Sequence, residues 1–413
     1  MTAGDAEPRT IEPRTMVGTQ VTVDVERVAH GGWCIARNDG RVVLVRHTLP
    51  GERVVARITE GDETSRFWRA DAVEVLVAAA DRVAPPCPFA GPGACGGCDW
   101  QHVSVPGQRT LKTLVVREQF RRLAGLEVGA EVEPVRDDDG LGWRTRVRFA
   151  VDDSGRAGFR RHRSHEVLPV DDCLIAHPEV AAPDVLARSW GEADAVSVAV
   201  SNRGERTVWT QEGRRRSRAT RISGAARLRE DVGERTWRVS AEGFWQVHPQ
   251  AATTLLDTVI DAAQVEPGDR VLDLYSGVGL FAGPLGTQVG EAGAVVAVES
   301  STDAVRDARR NLHHQPQVEL LAERVDRALT RTLPDRADVV VLDPPRTGAR
   351  ANVVQEIATR APRTVVYVGC DPAALARDVA TFARHGYRLV GLRAFDLFPM
   401  THHVECVATL HPA

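Results

Sequence analysis

Residues 271–283 read VLDLYSGVGLFAG, a short apolar run followed at once by a turn that contains Gly277 and Gly279. The pattern G-x-G-x-x-A is typical of a strand-to-helix turn whose backbone a ligand can approach closely. A second strand-like run ends in Glu299, where a carboxylate can hold both ribose hydroxyls of an adenosine cofactor. The glycine pattern alone also fits a purely structural turn. Strand, turn, helix, strand and acid in this order predict nucleoside-cofactor binding.

The same rhythm continues along the chain and predicts an α/β fold. Strand-like runs at 270–274, 294–298, 338–342 and 364–369 alternate with helical stretches, as in a doubly wound parallel sheet. No helix separates the last two strand-like runs, so we expect an antiparallel closing pair. The prediction is a Rossmann-like α/β domain with an antiparallel last strand, preceded by a small β-barrel and a mixed α+β central domain.

Composition sets the broad class of the protein. At 413 residues, two or three domains are expected, and 43% hydrophobic with 26% charged residues is ordinary for a globular protein. No apolar run approaches the roughly 18 residues of a membrane span, and the start of the chain lacks the pattern of a secretory signal. Seven cysteines then favour a reducing cytoplasm. The net charge of −4 does not indicate nucleic-acid binding, and Lys112 is the only lysine, which suggests a GC-rich coding bias.

Changes in pattern along the chain predict its domains. Five short strand-like runs between residues 17 and 77, separated by turn residues, indicate a small barrel of the oligonucleotide-binding kind, and an SH3-like barrel fits the same pattern. We expect four segments: a disordered tail at 1–15, the barrel at 16–77, a mixed central domain at 78–240 and the doubly wound domain at 241–413.

A cysteine cluster predicts a metal site. The candidate ligands form C-x7-C-x2-C and a more distant fourth cysteine: Cys87, Cys95, Cys98 and Cys173. Four thiolates suit either tetrahedral zinc or an iron–sulfur cluster, and spacing does not choose between them. Cys34 and Cys406 lie in strand-like segments and are expected in the core.

Residues at the ends of two later strands are candidates for the reacting groups of an enzyme. Asp343 ends the run VVVLDPP, and in open α/β sheets reacting groups gather at this edge. D-P-P followed by an aromatic residue is typical of amino-methyltransferases, but Arg346 stands in that place, which disfavours methylation of an exocyclic amine. Cys370 ends the next strand, where an inert buried cysteine is the plain alternative.

A thiol beside a methyl-donor site has a specific use. Carbon 5 of a pyrimidine is a poor nucleophile, and a thiolate that adds to carbon 6 makes it an enolate. We expect the helix that begins near Ala373 to lower the pKa of the Cys370 thiol. Glu405, on the last strand-like run, is a candidate for the base that removes the carbon-5 proton, although it also fits an ordinary strand-end glutamate.

With these pieces together, the chain resembles the RNA 5-methyluridine methyltransferase family from about residue 17 onward. The matching motifs occur in the family's order: RVVLVRHTLPGERV (41–54), CGGCDWQHV (95–103), FWQVHP (244–249), DLYSGVGLF (273–281), LDPPRTG (342–348), YVGCDP (367–372) and HHVEC (402–406). The first resembles the family's TRAM domain, and the resemblance implies that 78–240 is a central RNA-binding domain and that 241–413 is a class I methyltransferase domain. The resemblance implies transfer of a methyl group from S-adenosylmethionine to carbon 5 of a uridine in RNA, through a covalent adduct with carbon 6.

The resemblance also implies roles for particular residues. Cys370 would be the nucleophile and Glu405 the general base. Residues expected to bind S-adenosylmethionine are Gln246, Tyr275, Gly277, Glu299 and Asp343. The four cysteines Cys87, Cys95, Cys98 and Cys173 would hold a [4Fe-4S] cluster, with zinc as the alternative. The chain departs from the family at the C-x7-C spacing, usually C-x5-C, and at Ser276, Leu280, Arg324 and Gly369.

RNA is the expected partner, with rRNA favoured over tRNA by the TRAM-plus-cluster architecture, and the target base must be flipped or unpaired. Arginines expected to bind the RNA backbone are Arg144, Arg146, Arg148, Arg160, Arg161 and Arg163. We expect a cytoplasmic monomer with no membrane partner. Cytosine-5 methylation on the same fold is one alternative, and a catalytically silent, redox-responsive iron–sulfur RNA-binding protein is another.

Overall fold

The computed structural model describes residues 14–136, 138–213 and 218–413. The tail predicted at 1–15 lies outside these residues except for its last two. The chain divides into two compact units, Met1–Pro85 with His102–Ser104, and Pro86–Gln101 with Val105–Ala413. The predicted boundary between residues 240 and 241 lies inside the second unit and stays a prediction.

The first unit is a closed five-stranded barrel, which confirms the small β-barrel predicted from the sequence. Its strands pair in the order β1-β2-β3-β5-β4, with the bounds β1 Gln20–Ala29, β2 Trp33–Asn38, β3 Arg41–Arg46, β4 Arg53–Glu60 and β5 Phe67–Val77. Alternate residues point inward, as Val54, Ala56 and Ile58 do on β4. Cys34 is buried in this barrel, as expected.

The second unit begins with a helix and a predominantly antiparallel sheet. Helix α1 spans Val105–Gln119 and continues as a π-helical turn over Phe120–Ala124, and the short helix α2 spans Pro183–Leu186. The six strands of this sheet, in spatial order, are β12 (Arg218–Ser223), β11 (Arg206–Glu212), β10 (Ala195–Val200), β7 (Arg146–Val151), β8 (Ala157–Arg160) and β9 (Val167–Pro169). Every residue of β10 is buried, so this strand is the centre of the sheet's core.

A two-stranded hairpin connects this sheet to the rest of the unit. It consists of β13 (Arg227–Val232) and β14 (Arg235–Ser240). Trp237 of the hairpin is buried, and the carboxylate of Asp307 accepts hydrogen bonds from the Ser240 amide at 2.7 Å and from Arg227 Nε at 2.7 Å. Asp307 belongs to a later helix, so its carboxylate fastens the hairpin to that helix.

An eight-stranded sheet forms the rest of the unit. Its strands, in spatial order, are β17 (Val318–Ala322), β16 (Ala294–Glu299), β15 (Arg270–Leu274), β18 (Val339–Leu342), β19 (Thr364–Gly369), β21 (Glu405–Pro412), β20 (Tyr387–Asp396) and β6 (Val132–Pro134). Its helices are α3 (Ala251–Ala263), α4 (Ala282–Val289), α5 (Thr302–Leu312), α6 (Val325–Arg331), α7 (Ala351–Thr359) and α8 (Pro372–Arg384). β17, β16, β15, β18 and β19 pair in parallel, and β21 is antiparallel to both of its neighbours.

The central strands carry continuous apolar runs because helices cover both faces of the sheet. Two hydrophobic clusters lie on its opposite faces, and successive residues of β18 join them alternately. Cys406 is buried in one of the clusters, as expected. No helix among the described residues is both long enough and apolar enough to cross a membrane.

Candidate active site

The carboxyl ends of the parallel strands bring the predicted site residues to one edge of the sheet. Asp343 directly follows β18 and Cys370 directly follows β19. Glu405 is the first residue of β21, and because β21 runs in the opposite direction, its beginning lies at the same edge. The pairing of Gly369 with Cys406 places the thiol of Cys370 and the carboxylate of Glu405 on adjacent strand ends.

Glu299, the last residue of β16, contacts the turn that follows β15 through its carboxylate. Its Oε2 accepts a hydrogen bond from the Gly277 amide at 3.1 Å, and its Oε1 accepts one from the Ser301 amide at 2.6 Å. The side chain is only partly buried at the end of β16. The carboxylate is therefore oriented by two backbone amides while it remains accessible to a ligand.

The two glycines of the turn serve different purposes. Both have positive φ, 55° for Gly277 and 87° for Gly279, a region that side chains other than glycine rarely adopt. A Cβ on Gly279 would lie 2.6 Å from Leu312 of α5, so this glycine permits close helix packing. A Cβ on Gly277 would meet nothing within 4 Å, so this glycine leaves space beside the backbone for a ligand.

The remaining predicted cofactor residues are Tyr275 and Gln246. Tyr275 has φ of 64° in the same turn, and burial raises the pKa of its phenol to about 12. Gln246 is half-buried in the segment after the hairpin, which Thr145 fixes by donating from its amide and hydroxyl to the Val247 carbonyl, both at 2.9 Å. The described contacts do not join Gln246 to Glu299.

Asp273 is a buried carboxyl in this region that sequence reasoning missed. It lies on β15 beside β18 and β16, and neither of its oxygens accepts a hydrogen bond of good geometry from the described residues. Burial, with the charges of Asp343 and Glu299, raises the pKa of Asp273 to about 7. Burial raises the pKa of Asp343 to about 7 as well. A buried pair of this kind is well suited to a cationic ligand.

The expectation that a helix N-terminus lowers the pKa of Cys370 is wrong for the protein on its own. Burial raises the pKa of this thiol to about 12, the charges of Glu405 and Asp343 act in the same direction, and Arg346 opposes them. Helix α8 does begin two residues later, but the carboxylate of Asp371 caps it by accepting from the Ala374 amide at 2.8 Å. The residue next to Cys370 in the chain is thus a carboxylate that caps this helix.

Glu405 and Arg346 face the same space. Burial raises the pKa of the Glu405 carboxyl well above its ordinary value, Asp343 adds to this, and Arg346 opposes it. Arg346 is exposed and donates from Nη2 to Nε2 of His403 at 3.5 Å. Burial, followed by the charges of His402 and Arg346, lowers the pKa of His403 to about 3, so this imidazole is neutral and can accept. Sequence reasoning treated Arg346 only as a departure from an aromatic residue.

Buried hydrogen bonds hold the loop that carries Arg346. The Ala349 amide donates to the Tyr367 hydroxyl at 3.0 Å and to Asp378 Oδ2 at 2.7 Å. The Tyr367 hydroxyl in turn donates to Asp378 at 2.7 Å. Since Tyr367 lies on β19 and Asp378 on α8, the loop is fixed to the two elements that flank Cys370.

The four predicted metal ligands line one cavity, together with Arg144 and Gln101. Burial raises the pKa of Cys98 to about 12 and that of Cys173 to about 11, and the neighbouring thiols add to the effect. Among the described residues, no group of three or more His, Cys, Asp or Glu side chains is arranged to hold a single metal ion. Four thiols around one cavity fit a cluster as a donor set, since each would bind a different iron.

Two of the arginines predicted to bind RNA have structural partners. Arg146 is largely buried and donates to the carbonyls of Ala241 and Gly243 at 3.0 and 3.1 Å. Arg161 pairs with Glu166 at 2.8 Å and donates to the Gly93 carbonyl in the cysteine loop. The burial of Arg146 makes it a structural residue, which corrects that prediction. The Arg161 side chain is 32% exposed, and its contact with RNA stays a prediction.

An exposed aromatic residue was also missed. Phe244 is 76% exposed, although it begins the motif that contains Gln246. Its neighbour Trp245 is buried in the core. The order of the two aromatics in the sequence does not reveal which of them points outward. An aromatic ring with this exposure is available to stack on a nucleic-acid base.

Two family models match the chain. The TRAM domain model matches residues 14–73, and the model described as tRNA (Uracil-5-)-methyltransferase matches residues 226–412. An uncharacterized RNA methyltransferase of Streptomyces coelicolor is 49% identical over 99% of this chain and 96% of its own length. Another, of Bifidobacterium longum, is 40% identical over 96% of this chain and 97% of its own length.

One solved structure resembles the whole chain. The tRNA (uracil-54, C5)-methyltransferase of Pyrococcus abyssi, solved in complex with S-adenosyl-L-homocysteine, has a TM-score of 0.69 at 24% identity. The similarity covers 94% of this chain and 99% of that one, and it shows that the two share a fold.

The fold and the relatives define an S-adenosylmethionine-dependent RNA methyltransferase. The chain belongs to the RNA uracil-5-methyltransferase family, with an N-terminal TRAM domain.

Proposed function

We propose that the protein methylates carbon 5 of one specific uridine in RNA through a covalent bond between Cys370 and carbon 6 of the uracil. The observation that carries this proposal is that the thiol of Cys370 and the carboxylate of Glu405 lie on adjacent strand ends, where the charge of Arg346 acts on both. Of the described cysteines, Cys370 and Cys406 lie at this edge, and Cys406 is fully buried. Division of the chain into a barrel at 16–77, a central domain at 78–240 and a catalytic domain at 241–413 is part of the proposal.

The proposed reaction has three steps: addition of the thiol, transfer of the methyl group, and removal of the carbon-5 proton with release of the thiol. The Cys370 thiol loses its proton to solvent, and the sulfur bonds to carbon 6, which makes carbon 5 an enolate carbon. Carbon 5 takes the methyl group, and S-adenosylhomocysteine leaves with the electron pair of the broken bond. The Glu405 carboxylate then removes the carbon-5 proton, and the sulfur leaves carbon 6 as the double bond reforms. Because Glu405 is buried, its carboxylate is a stronger base than an exposed one.

Arg346 favours uracil over cytosine in this arrangement. A guanidinium only donates hydrogen bonds, and it suits the carbonyl oxygen on which enolate charge develops. Cytosine presents an amine at the corresponding position. Phe244 is proposed to stack on a base of the bound RNA, because it is the most exposed large apolar side chain of the described residues.

The cofactor residues are assigned by their chemistry. Glu299 would hold the ribose hydroxyls, and Gly277 would allow the cofactor to approach the backbone. Tyr275, Gln246 and Asp343 would line the remainder of the site. Asp273 is added to the predicted set, because its buried carboxyl can balance the positive charge of the amino acid end of S-adenosylmethionine.

The four cysteines are proposed to bind a [4Fe-4S] cluster rather than zinc. A tetrahedral zinc ion requires four sulfurs about 2.3 Å from one point, whereas a cluster needs them farther apart around one cavity. The four cysteines line one cavity, and the resemblance to the family favours the cluster over zinc. Iron and sulfide in an anaerobic preparation test this assignment, and stoichiometric zinc without iron would overturn it.

The RNA is proposed to be rRNA, because a TRAM barrel is combined with a cysteine cluster. tRNA is the second candidate, since the relative from Pyrococcus abyssi is named for a tRNA uridine. The protein is proposed to act as a monomer in the cytoplasm.

The test uses RNA transcribed with 5-fluorouridine, incubated with the protein and S-adenosylmethionine. Fluorine at carbon 5 cannot leave as a proton, so the enzyme should remain bonded to the RNA after methyl transfer. We expect a denaturation-stable adduct that maps to Cys370, disappears in Cys370→Ala and persists in the control Cys34→Ala. Comparison of rRNA with tRNA identifies the substrate. Cofactor binding without an adduct on any cellular RNA would refute the mechanism.

A further inference from the structure

The only lysine of the chain lies in the interior. Of the 52 Lys and Arg side chains, only Lys112 is lysine, and it is 1% exposed on helix α1. Its Nζ donates to Asp396 Oδ1 at 2.5 Å and to the Phe398 carbonyl at 3.0 Å. Asp396 ends β20, so the ammonium group holds both the end of that strand and the first turn of the segment that follows it.

A second side chain of the same helix holds the same segment. Gln108 is four residues before Lys112, and so lies on the same face of α1. Its Oε1 accepts from the Met400 amide at 2.7 Å, and its Nε2 donates to Met400 Sδ at 3.2 Å and to the Trp100 carbonyl at 3.3 Å. Gln108 is fully buried.

The segment in question, residues 397–404, joins β20 to β21. Met400 at its centre has φ of 66°, a conformation that persists only where the surroundings enforce it. The peptide of Met400 is held on both sides: its amide donates to Gln108, and its carbonyl accepts from the amides of Asp99 and Trp100 at 3.0 Å each. The segment is therefore fixed at its start and at its centre.

The 397–404 segment leads directly into the proposed catalytic groups. His403, near the end of the segment, accepts a hydrogen bond from Arg346. Glu405 is the first residue after the segment. A displacement of 1 Å at a reacting group can cost about 100-fold in rate. Whatever holds this segment therefore sets where the carboxylate meets the carbon-5 proton.

A buried ion pair is weak evidence for stability. Replacement of such a pair by apolar residues of similar volume is often neutral or stabilising, because desolvation offsets the attraction. Burial lowers the pKa of Lys112, and Asp396 opposes this effect. Arginine is used at nearly every other basic position, but a guanidinium is planar and needs more room, whereas an ammonium group is compact and donates in three directions.

We propose that Lys112 and Gln108 are positioning residues for the methyl transfer reaction: from helix α1 they hold the 397–404 segment so that Glu405 is aimed at carbon 5. This proposal rests on the proposed function. Neither residue touches the substrate. Their loss should slow removal of the carbon-5 proton more than it affects cofactor binding or addition of the thiol.

The test uses the double variant Lys112→Met with Asp396→Leu, which removes both charges and leaves none unpaired. We expect a folded protein, an S-adenosylmethionine affinity within about twofold of wild type, and a kcat lower by about 100-fold. With ordinary uridine RNA, the covalent protein–RNA intermediate should accumulate on a denaturing gel, because proton removal has become the slow step. Wild-type kcat with no accumulated intermediate would overturn the proposal.

A second variant, Gln108→Met, tests the same positioning role if the double variant does not fold. Gln108→Met removes the hydrogen bond to the Met400 amide without introducing a charge, and we expect the same accumulation of intermediate. Leu114→Ala on the exposed side of α1 is the matched control, expected to behave as wild type. A Gln108→Met enzyme with unchanged kcat would contradict the proposal.

The result for the wild-type protein distinguishes failure of the positioning role from failure of the proposed function. If wild-type protein forms the 5-fluorouridine adduct at Cys370 while the variants behave as wild type, only the positioning role fails. If wild type forms no adduct, the proposed function fails, and the positioning role fails with it.

Discussion

Cys370 is a neutral thiol in the free protein, so its proposed activation as a nucleophile would require the bound RNA and methyl donor. Burial and two carboxyl groups raise its pKa to about 12, and Arg346 opposes them only in part. The sulfonium of S-adenosylmethionine would bring a second positive charge to this edge of the sheet, which favours the thiolate. A thiol that ionises only beside its methyl donor is protected from other electrophiles.

The first prediction concerns alkylation of Cys370. In the free protein, iodoacetamide should modify Cys370 slowly at pH 7.5, and the rate should rise about tenfold per pH unit up to pH 9, because the thiolate fraction does so far below the pKa. Peptide mass spectrometry measures the rate at this site separately from the other cysteines. A rate that reaches a plateau below pH 8 would show that the thiol is already ionised.

The second prediction concerns the pH dependence of cofactor binding. The free carboxyls of Asp273 and Asp343 have pKa values of about 7, and a bound cation lowers them. Binding is then favoured where these groups are ionised, so affinity for S-adenosylmethionine should rise about tenfold per group between pH 6 and 8. Calorimetry in two buffers should show proton release. Asp273→Asn should flatten the dependence, and an unchanged slope in this variant would remove Asp273 from the site.

The third prediction concerns Phe244. If it stacks on a base, Phe244→Ala should weaken RNA binding by about 1–3 kcal/mol, which is about 5- to 150-fold. The affinity for S-adenosylmethionine should not change. Ile222→Ala, at another exposed apolar side chain of the same unit, is the control. Equal RNA affinities for the two variants would refute the stacking role.

Among the secondary-structure elements, the β13–β14 hairpin is held to helix α5 by the Asp307 carboxylate and by the Asn311 side chain. Burial alone would raise the pKa of Asp307, but hydrogen bonds from Ser240 and Arg227 outweigh it and lower the pKa. The hairpin precedes the segment that carries Gln246, so this helix indirectly fixes part of the proposed cofactor site.

The fourth prediction is that Asp307→Ala lowers the free energy of unfolding by about 2–4 kcal/mol, because it leaves Arg227 and the Ser240 amide without their acceptor. Asp303→Ala, at an exposed ion pair on the same helix, should change it by less than about 1 kcal/mol. Since the pKa of Asp307 is depressed, its contribution is present above about pH 4 and is lost at lower pH. Chemical denaturation at pH 7 and pH 3 measures both effects, and equal losses in the two variants would contradict the assignment.

The elements show what a sequence can reveal about this fold. The ends of β15, β16, β18 and β19 could be predicted, because each is an apolar run that stops at a turn residue. β6 could not, because its three residues pair with β20, about 260 positions later in the chain. The pKa of Cys370 was also missed, since the burial that raises it and the carboxylates of Asp343 and Glu405 come together only in the fold.

For the whole molecule, RNA recognition does not follow from net charge. The chain is slightly acidic, and many of its described arginines form ion pairs with acids. On the barrel, however, Arg69 lies over the rings of Trp33 and Phe67, at 5.8 and 5.0 Å. Sequence patterns did not indicate this group, because its members come from different strands. We propose that these stacked groups, rather than a charged field, contact RNA on the barrel.

The fifth prediction tests that surface. Phe67→Ala should weaken RNA binding by about 1–3 kcal/mol, with little change in its salt dependence, because stacking releases no counterions. Leu76→Ala is the control, since Leu76 is similarly exposed on the same strand β5. Filter binding at two salt concentrations measures both quantities. A loss shared equally by the two variants would assign it to the fold of the barrel.

The solitary lysine gives the protein a chemical property of practical use. An amine-specific acylating reagent finds one side-chain amine among 413 residues, and that amine is enclosed between α1 and the end of β20. Its labelling therefore requires the structure around it to open, so the rate of acylation at Lys112 is a clock for that opening. Any molecule that keeps the region closed should lower the rate of acylation at Lys112. The local opening of the native protein can therefore be measured without an introduced probe.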